Sequence, residues 1–198
     1  MMKKYFQDFI KILETIDREP IGRLLNALES LQRDKGRLFV LGVGGSAANA
    51  SHAVNDFRKL TNIEAYAPTD NVAELTARTN DEGWEGVFRD WLKVSRLGTK
   101  DMVLIFSVGG GNKEKNVSVN LVKAINYARE IGATITGIVG RDGGYTKQEA
   151  DICVLVPTVN EYLVTPFVES MQAFIWHFLV FNPYLNQKEG KWESIALK

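Results

Sequence analysis

The sequence predicts an α/β fold, a three-layer αβα sandwich around a five-stranded parallel sheet, with two extra helices at the N-terminus. Three observations predict it. Short, almost wholly apolar runs alternate with longer segments whose apolar residues recur at helical spacing. The runs lack the in–out alternation of half-exposed strands, so both faces of the sheet must be covered. Two of the runs stop at clustered glycines, Gly42–Ser46 and Ser107–Asn112, and restart as helices. The expected strand order is flavodoxin-like, with ligands at the carboxyl ends of the strands near the point where that order reverses.

The elements follow in order. Lys3–Asp17 and Pro20–Arg33 read as helices, the first through Phe6, Phe9, Ile10 and Leu13, the second through Leu24, Leu25, Leu28 and Leu31. Pro20 suits a first helical turn. Strands are expected at Leu38–Leu41, near Ile63–Ala67, and at Met102–Phe106, Thr134–Val139 and Ile152–Val156. Helices are expected at Ala47–Leu60, Val72–Arg78, Trp84–Arg96, Val117–Ile131 and Thr165–Phe181. Without repeats or linkers, the chain reads as one domain: helices over 1–34 used in oligomer packing, an αβα core over 35–182, and a polar tail over 183–198 on the surface or against a neighbouring subunit.

The 198 residues suffice for a full core, and a hydrophobic share of 45% with 24% charged is that of a globular protein. Lys+Arg and Asp+Glu both number 24, so no net field argues for nucleic acid or an anionic membrane. The N-terminal stretch is broken by Gln7, Asp8 and Lys11 and reads as an amphipathic helix, not a signal peptide. No apolar run is expected to span a membrane. The lone Cys153 reads as a small buried hydrophobe. A cytoplasmic location is the default expectation.

The chemistry concentrates at Leu38–Leu60. A strand that ends at Gly42-Val43-Gly44-Gly45-Ser46 and restarts as a helix aims backbone N–H groups at one spot, which favours an anion, most often phosphate. The second cluster, Ser107-Val108-Gly109-Gly110-Gly111-Asn112, follows a strand in the same way, and the two ends could converge on one ligand. The first cluster lacks the G-x-G-x-x-G spacing of dinucleotide sites, and no Gly-Lys-Ser/Thr exists for a Walker loop. His52, one of only two histidines, stands four residues before Asp56, so both share one face of a helix.

These residues together carry a family likeness. G-x-G-G-S-A-A-x-A-x-H after the first strand, Asn80-Asp81-x-Gly83 before a helix, Ser107 at a strand end, Gly140-Arg141-Asp142-Gly143-Gly144, and His177 on a C-terminal helix resemble the sugar-isomerase (SIS) domain. Within it they resemble the sedoheptulose 7-phosphate isomerases, over roughly Lys3 to Phe181. The resemblance implies a homotetramer with sites between subunits and a phosphorylated sugar as partner. The reaction would be ketose/aldose isomerisation, sedoheptulose 7-phosphate to D-glycero-D-manno-heptose 7-phosphate, through an enediol-type proton transfer. It implies Asp56 as base, His177 as its acid/base partner and Asp81 near the reacting carbons. Gly44, Gly45, Ser46, Asn80, Ser107, Gly109, Gly110, Gly111 and Asn112 would hold the substrate and its phosphate. The chemistry needs no cofactor, but some members bind zinc, through positions that read here His52, Asp56, Glu169 and His177.

Departures from the family pattern mark a divergent branch. Aspartate at 56 replaces the usual glutamate, Glu169 stands for glutamine, and Val43 for asparagine. The second loop keeps Ser107 but has Val108, Gly109 and Gly111 where Ser and Thr are usual. Lys113–Ser118 reads as an insertion, and Lys113 or Lys115 could supply a compensating charge. Read without the resemblance, His177 is a hydrogen-bonded core histidine, and Trp84, Trp91 and Trp176 are core or interface aromatics. The alternatives are a non-catalytic phosphosugar-binding regulator or scaffold, and an isomerase of a six-carbon or amino sugar phosphate.

Overall fold

The computed structural model describes residues 2–188 and 190–196. Five parallel strands, β1 (Arg37–Gly42), β2 (Glu64–Tyr66), β3 (Met102–Ser107), β4 (Thr134–Val139) and β5 (Ile152–Leu155), lie in the order β2-β1-β3-β4-β5. The register sets Leu38 beside Met102, Gly42 beside Phe106 and Ser107 beside Val139. The glycine-bearing ends of β1 and β3 are therefore neighbours. The order reverses between these two strands, where a crevice opens in such sheets.

Side-chain alternation along the strands divides the core in two. Leu38 and Val40 of β1 and Leu104 and Phe106 of β3 face one side. There they meet α1 (Met2–Thr15), α2 (Glu19–Arg33), α3 (Gly45–Thr61) and α8 (Val164–Val180). Phe39, Leu41, Val103 and Ile105 face the other side, against α5 (Val87–Val94) and α6 (Val119–Ile131). The amino ends of β1 and β3 are clamped by Arg37, whose Nη2 lies 2.6 Å from Asp101 Oδ2 while its backbone N–H donates to Oδ1 at 3.0 Å.

Several expectations are corrected. The helix expected at Val72–Arg78, α4 (Val72–Glu82), runs on to Gly83 at φ +84°, so Asn80 and Asp81 lie in its last turn. Its N-terminus is capped by Asn71, whose Oδ1 accepts from the Glu74 N–H at 3.2 Å. A further short helix, α7 (Gly144–Glu149), follows β4; its six residues are too few to show a period. The tail does not simply lie on the surface: Leu185 is fully buried, and the Gln187 N–H donates to the Leu60 carbonyl at 2.8 Å. A last helix, α9, spans Lys191–Ala196. By length and composition alone, the 20-residue stretch Glu161–Val180 would suffice to cross a membrane. Half of its apolar window is buried here, which accounts for that composition.

Candidate active site

The site is built where β1 hands over to α3. A side chain at Gly42 would press on the Ser46 carbonyl and lie 2.8 Å from the Ala47 nitrogen, and Gly44 takes a φ of +64°. Both conditions require glycine. α3 then runs parallel to α8 on the same face of the sheet, and the two helices meet rung by rung. At the first rung the Glu169 carboxylate lies over Gly45, where an added Cβ would come within 2.6 Å of the carboxyl carbon. At the second, Gln172 Nε2 donates to Ser46 Oγ at 3.1 Å, and Asn49 Nδ2 donates to Gln172 Oε1 at 2.9 Å.

The third rung holds the titratable groups. Asp56 Oδ2 lies 3.5 Å from His52 Nε2 and 3.4 Å from His177 Nε2. The same oxygen accepts a hydrogen bond from Trp176 Nε1 at 3.0 Å, and Oδ1 accepts one from Asn55 Nδ2 at 3.0 Å. Asp56 is buried, whereas the His52 and His177 side chains remain 56% and 43% exposed. A buried carboxylate thus faces two imidazoles that solvent or a ligand can reach. Ligand atoms of His52, Asp56 and His177 all lie within 4.8 Å of one another, close enough to share one metal ion. In this arrangement Glu169 stays at the first rung, outside that set.

The loop after β3 forms a second feature. It is fastened to the turn after β4: Tyr145 N–H donates to the Gly111 carbonyl (2.8 Å), and Thr146 donates to the Gly110 carbonyl through N–H (2.9 Å) and Oγ1 (2.7 Å). The N–H groups of Gly109 and Gly111 have no partner among the described residues. Ser107 Oγ accepts from the Gly110 N–H at 3.0 Å, which leaves its own proton free to donate. The insertion closes on itself through paired backbone hydrogen bonds between Asn112 and Val117 (2.8 and 3.0 Å). The result is a cleft of about 760 Å³ at the carboxyl ends of the strands.

Ser107, Gly109, Gly111 and Asn112 line this cleft with Val43, Val108, Lys115 and Val117. Ser118, Arg141, Asp142, Thr158 and Glu161 complete the lining and had no assigned role in the sequence reading. Arg141 carried one signal, its place beside two glycines; its left-handed φ of +53° is uncommon for arginine. The other predicted residues stand elsewhere. Gly110 supports the loop from beneath, Gly44 and Gly45 do not line the cleft, and Ser46 is buried. Asn80 and Asp81 are exposed on α4, bonded to each other at 2.7 Å. Gln172 and Trp176 were missed as site residues; a tryptophan beside His177 on an apolar helix was the available signal, since a buried indole N–H needs an acceptor.

The fold has counterparts in known proteins. The family model described as "SIS domain" matches residues 4–140. The lincomycin biosynthesis protein LmbN of Streptomyces lincolnensis is 34% identical over 154 residues, 73% of this chain and 54% of that protein, so the chain spans about half of LmbN's length. Phosphoheptose isomerase of Helicobacter pylori (strain HPAG1) is 30% identical over 174 residues, 85% of this chain and 84% of that protein. The solved structure of phosphoheptose isomerase GmhA from Neisseria gonorrhoeae superposes with a TM-score of 0.78 at 22% identity, covering 90% of this chain and 95% of that one. The chain belongs to the SIS-domain family. Within that family its likeness is to the phosphoheptose isomerases, along most of its length.

Proposed function

We propose that this protein is an aldose–ketose isomerase of a phosphorylated sugar, converting sedoheptulose 7-phosphate to D-glycero-D-manno-heptose 7-phosphate. The observation that carries the reading is the convergence of His52 and His177 on one carboxylate oxygen of Asp56, in a chain whose relatives include phosphoheptose isomerases. Asp56 takes the proton from C1 of the ketose, and the freed electron pair forms the C1=C2 bond of the enediol. His177 gives a proton to the C2 carbonyl oxygen in the same step. In the second half, His177, now the base, takes the O1 hydroxyl proton as C1=O forms, and Asp56 returns its proton to C2. The phosphate does not react; its binding energy holds the sugar in place. Ser107, the Gly109 and Gly111 N–H groups, Ser118, Lys115 and Arg141 supply that grip, with Asn112 at the rim.

Two imidazoles and a carboxylate suit zinc, which in catalytic sites takes three protein ligands and keeps one open position. The two separations from Asp56 Oδ2, 3.4 and 3.5 Å, match the roughly 3.3 Å between neighbours in a tetrahedral shell, and all three ligand atoms lie within 4.8 Å of one another. His52, Asp56 and His177 would hold the ion, with Glu169 joining only after leaving Gly45. Bound there, zinc would polarise the sugar carbonyl as a Lewis acid in place of the proton from His177, whose Nε2 it would occupy.

Cleft and acid/base cluster are lined by different residues of one chain, so the reading assigns the complete site to an assembly, a cytoplasmic homotetramer. In support, Phe174 and Phe178 on α8 and Phe181 at its C-terminal cap are 54%, 50% and 45% exposed around His177. α4 buries none of its residues, so Asn80 and Asp81 would act on a neighbouring subunit's sugar.

The test is NMR observation of sedoheptulose 7-phosphate with the protein. An aldose signal is expected, and His177→Ala should fold yet lose roughly two to four orders of magnitude in rate. An alanine variant that retains most activity would remove His177 from the mechanism. The apolar residues Val43, Val108 and Val117 at the phosphate cleft favour a second reading, a phosphosugar-binding regulator. Tight binding without turnover would establish that reading and overturn the first.

A further inference from the structure

We infer that Trp176 is the positioning residue of the Asp56 carboxylate, a role that rests on the isomerase reading. An aspartate reaches one methylene less far from α3 than a glutamate, so its carboxylate is drawn back toward the core. What it meets there is the indole. Trp176 Nε1 donates to Oδ2 at 3.0 Å from a side chain that is only 1% exposed. The two imidazole nitrogens stand off at 3.4 and 3.5 Å, beyond the usual N–H···O range. Trp176 is therefore the one buried side chain, among the described residues, that makes a normal hydrogen bond to this carboxylate.

The indole itself is fixed. It stacks on Phe106 of β3 at 23° and 5.9 Å, and it meets the His52 and His177 rings at 5.2 and 4.8 Å between centroids. An indole has a single donor and no acceptor, so its ring plane dictates where Oδ2 must lie. Hydrogen bonds to a charged acceptor are the strong ones. Asn55, from the exposed side, holds the other oxygen, and the carboxylate plane is set at two points. That plane presents Oδ2 to both histidines at nearly equal distance. A core-filling aromatic would serve equally well as phenylalanine; the N–H is what the base uses.

The test combines spectroscopy with kinetics. In protein labelled with 15N-tryptophan, the Trp176 indole signal is identified as the one of four that Trp176→Phe removes. Asp56→Ala, with Trp176 intact, should move that signal upfield and speed its hydrogen exchange. Trp176→Phe keeps the stacking on Phe106 and should lower kcat roughly 10- to 100-fold, the rate equivalent of one hydrogen bond to a charge, with KM within about twofold. Asp56→Glu should cost clearly less in the Trp176→Phe background than alone, because the longer carboxylate no longer depends on the indole. An indole signal indifferent to Asp56→Ala would overturn the proposal, as would wild-type kcat in Trp176→Phe or strictly additive effects. Absence of isomerase turnover in the wild type would remove the functional reading instead, and the indole signal would still decide the link.

Discussion

Gly110→Ala would part the two turns that shape the phosphate cleft. Gly110 sits at φ +72°, and a Cβ there would overlap the Gly143 carbonyl oxygen, with the carbonyl carbon only 2.6 Å away. The left-handed conformation alone costs about 1–2 kcal/mol for a residue with a Cβ. To restore ordinary carbon contact near 3.5 Å, the turns must separate by roughly 1 Å. That movement strains the bonds from Tyr145 N–H to Gly111 and from Thr146 N–H and Oγ1 to Gly110. If two of these are lost at about 1 kcal/mol each, the total comes to roughly 3–4 kcal/mol. Gly132→Ala is the control: its φ and ψ of +78° and +23° are left-handed, and the nearest atom to the added Cβ, Thr99 Cγ2, lies at an ordinary 3.7 Å, so only the conformational cost remains. Urea unfolding of both variants reads the difference. Because the same movement displaces the Gly109 and Gly111 N–H groups, KM for the sugar phosphate should rise about tenfold in Gly110→Ala alone. Equal unfolding costs for the two variants would refute the close-approach reasoning.

Other expectations follow from single contacts. Asn160 Nδ2 donates to Asp8 Oδ2 at 3.0 Å and Lys4 lies 2.9 Å from Oδ1; these bonds, Asn160 first, hold the Asp8 carboxyl below its ordinary value of 3.8. The folded pKa is the lower one, so the stabilisation is full above the ordinary value and drains away as pH falls through the folded value. Asn160→Ala should weaken amide protection in α1 at neutral pH and flatten its loss in acid; an unchanged α1 exchange profile would contradict this. Burial pushes the Cys153 thiol from 9.0 up to about 11, so at pH 8 native labelling should run roughly 100-fold slower than in urea. Rapid stoichiometric labelling of the native chain would count against that environment. If Phe178 lies in a subunit interface, Phe178→Glu should give a smaller species by light scattering, and an unchanged mass would place the interface elsewhere.

Much of this architecture is legible in one dimension. Apolar strands of four to six residues and glycines at two strand ends are local properties, and they locate both the sheet and the cleft. Helix–strand boundaries slipped where local signals were thin: α4 outran its pattern because its surface is polar, and α7 is too short to show one. Leu185 was hidden in a polar tail, because a single buried residue has no period.

By itself, the amino-acid order determined the fold class, the strand order, the glycine turns and the spacing that puts His52 and Asp56 on one helical face. Only the tertiary structure decided that α3 and α8 run in parallel, rung against rung. That packing joins Asp56 to His177 across 121 positions of chain, seats the indole of Trp176 on the carboxylate and leaves Glu169 at Gly45. It also turned Ser46 inward and brought Arg141 into the cleft. The physical reason is that periodicity says which face of a helix is buried, whereas the partner of each buried polar group depends on how two faces interlock.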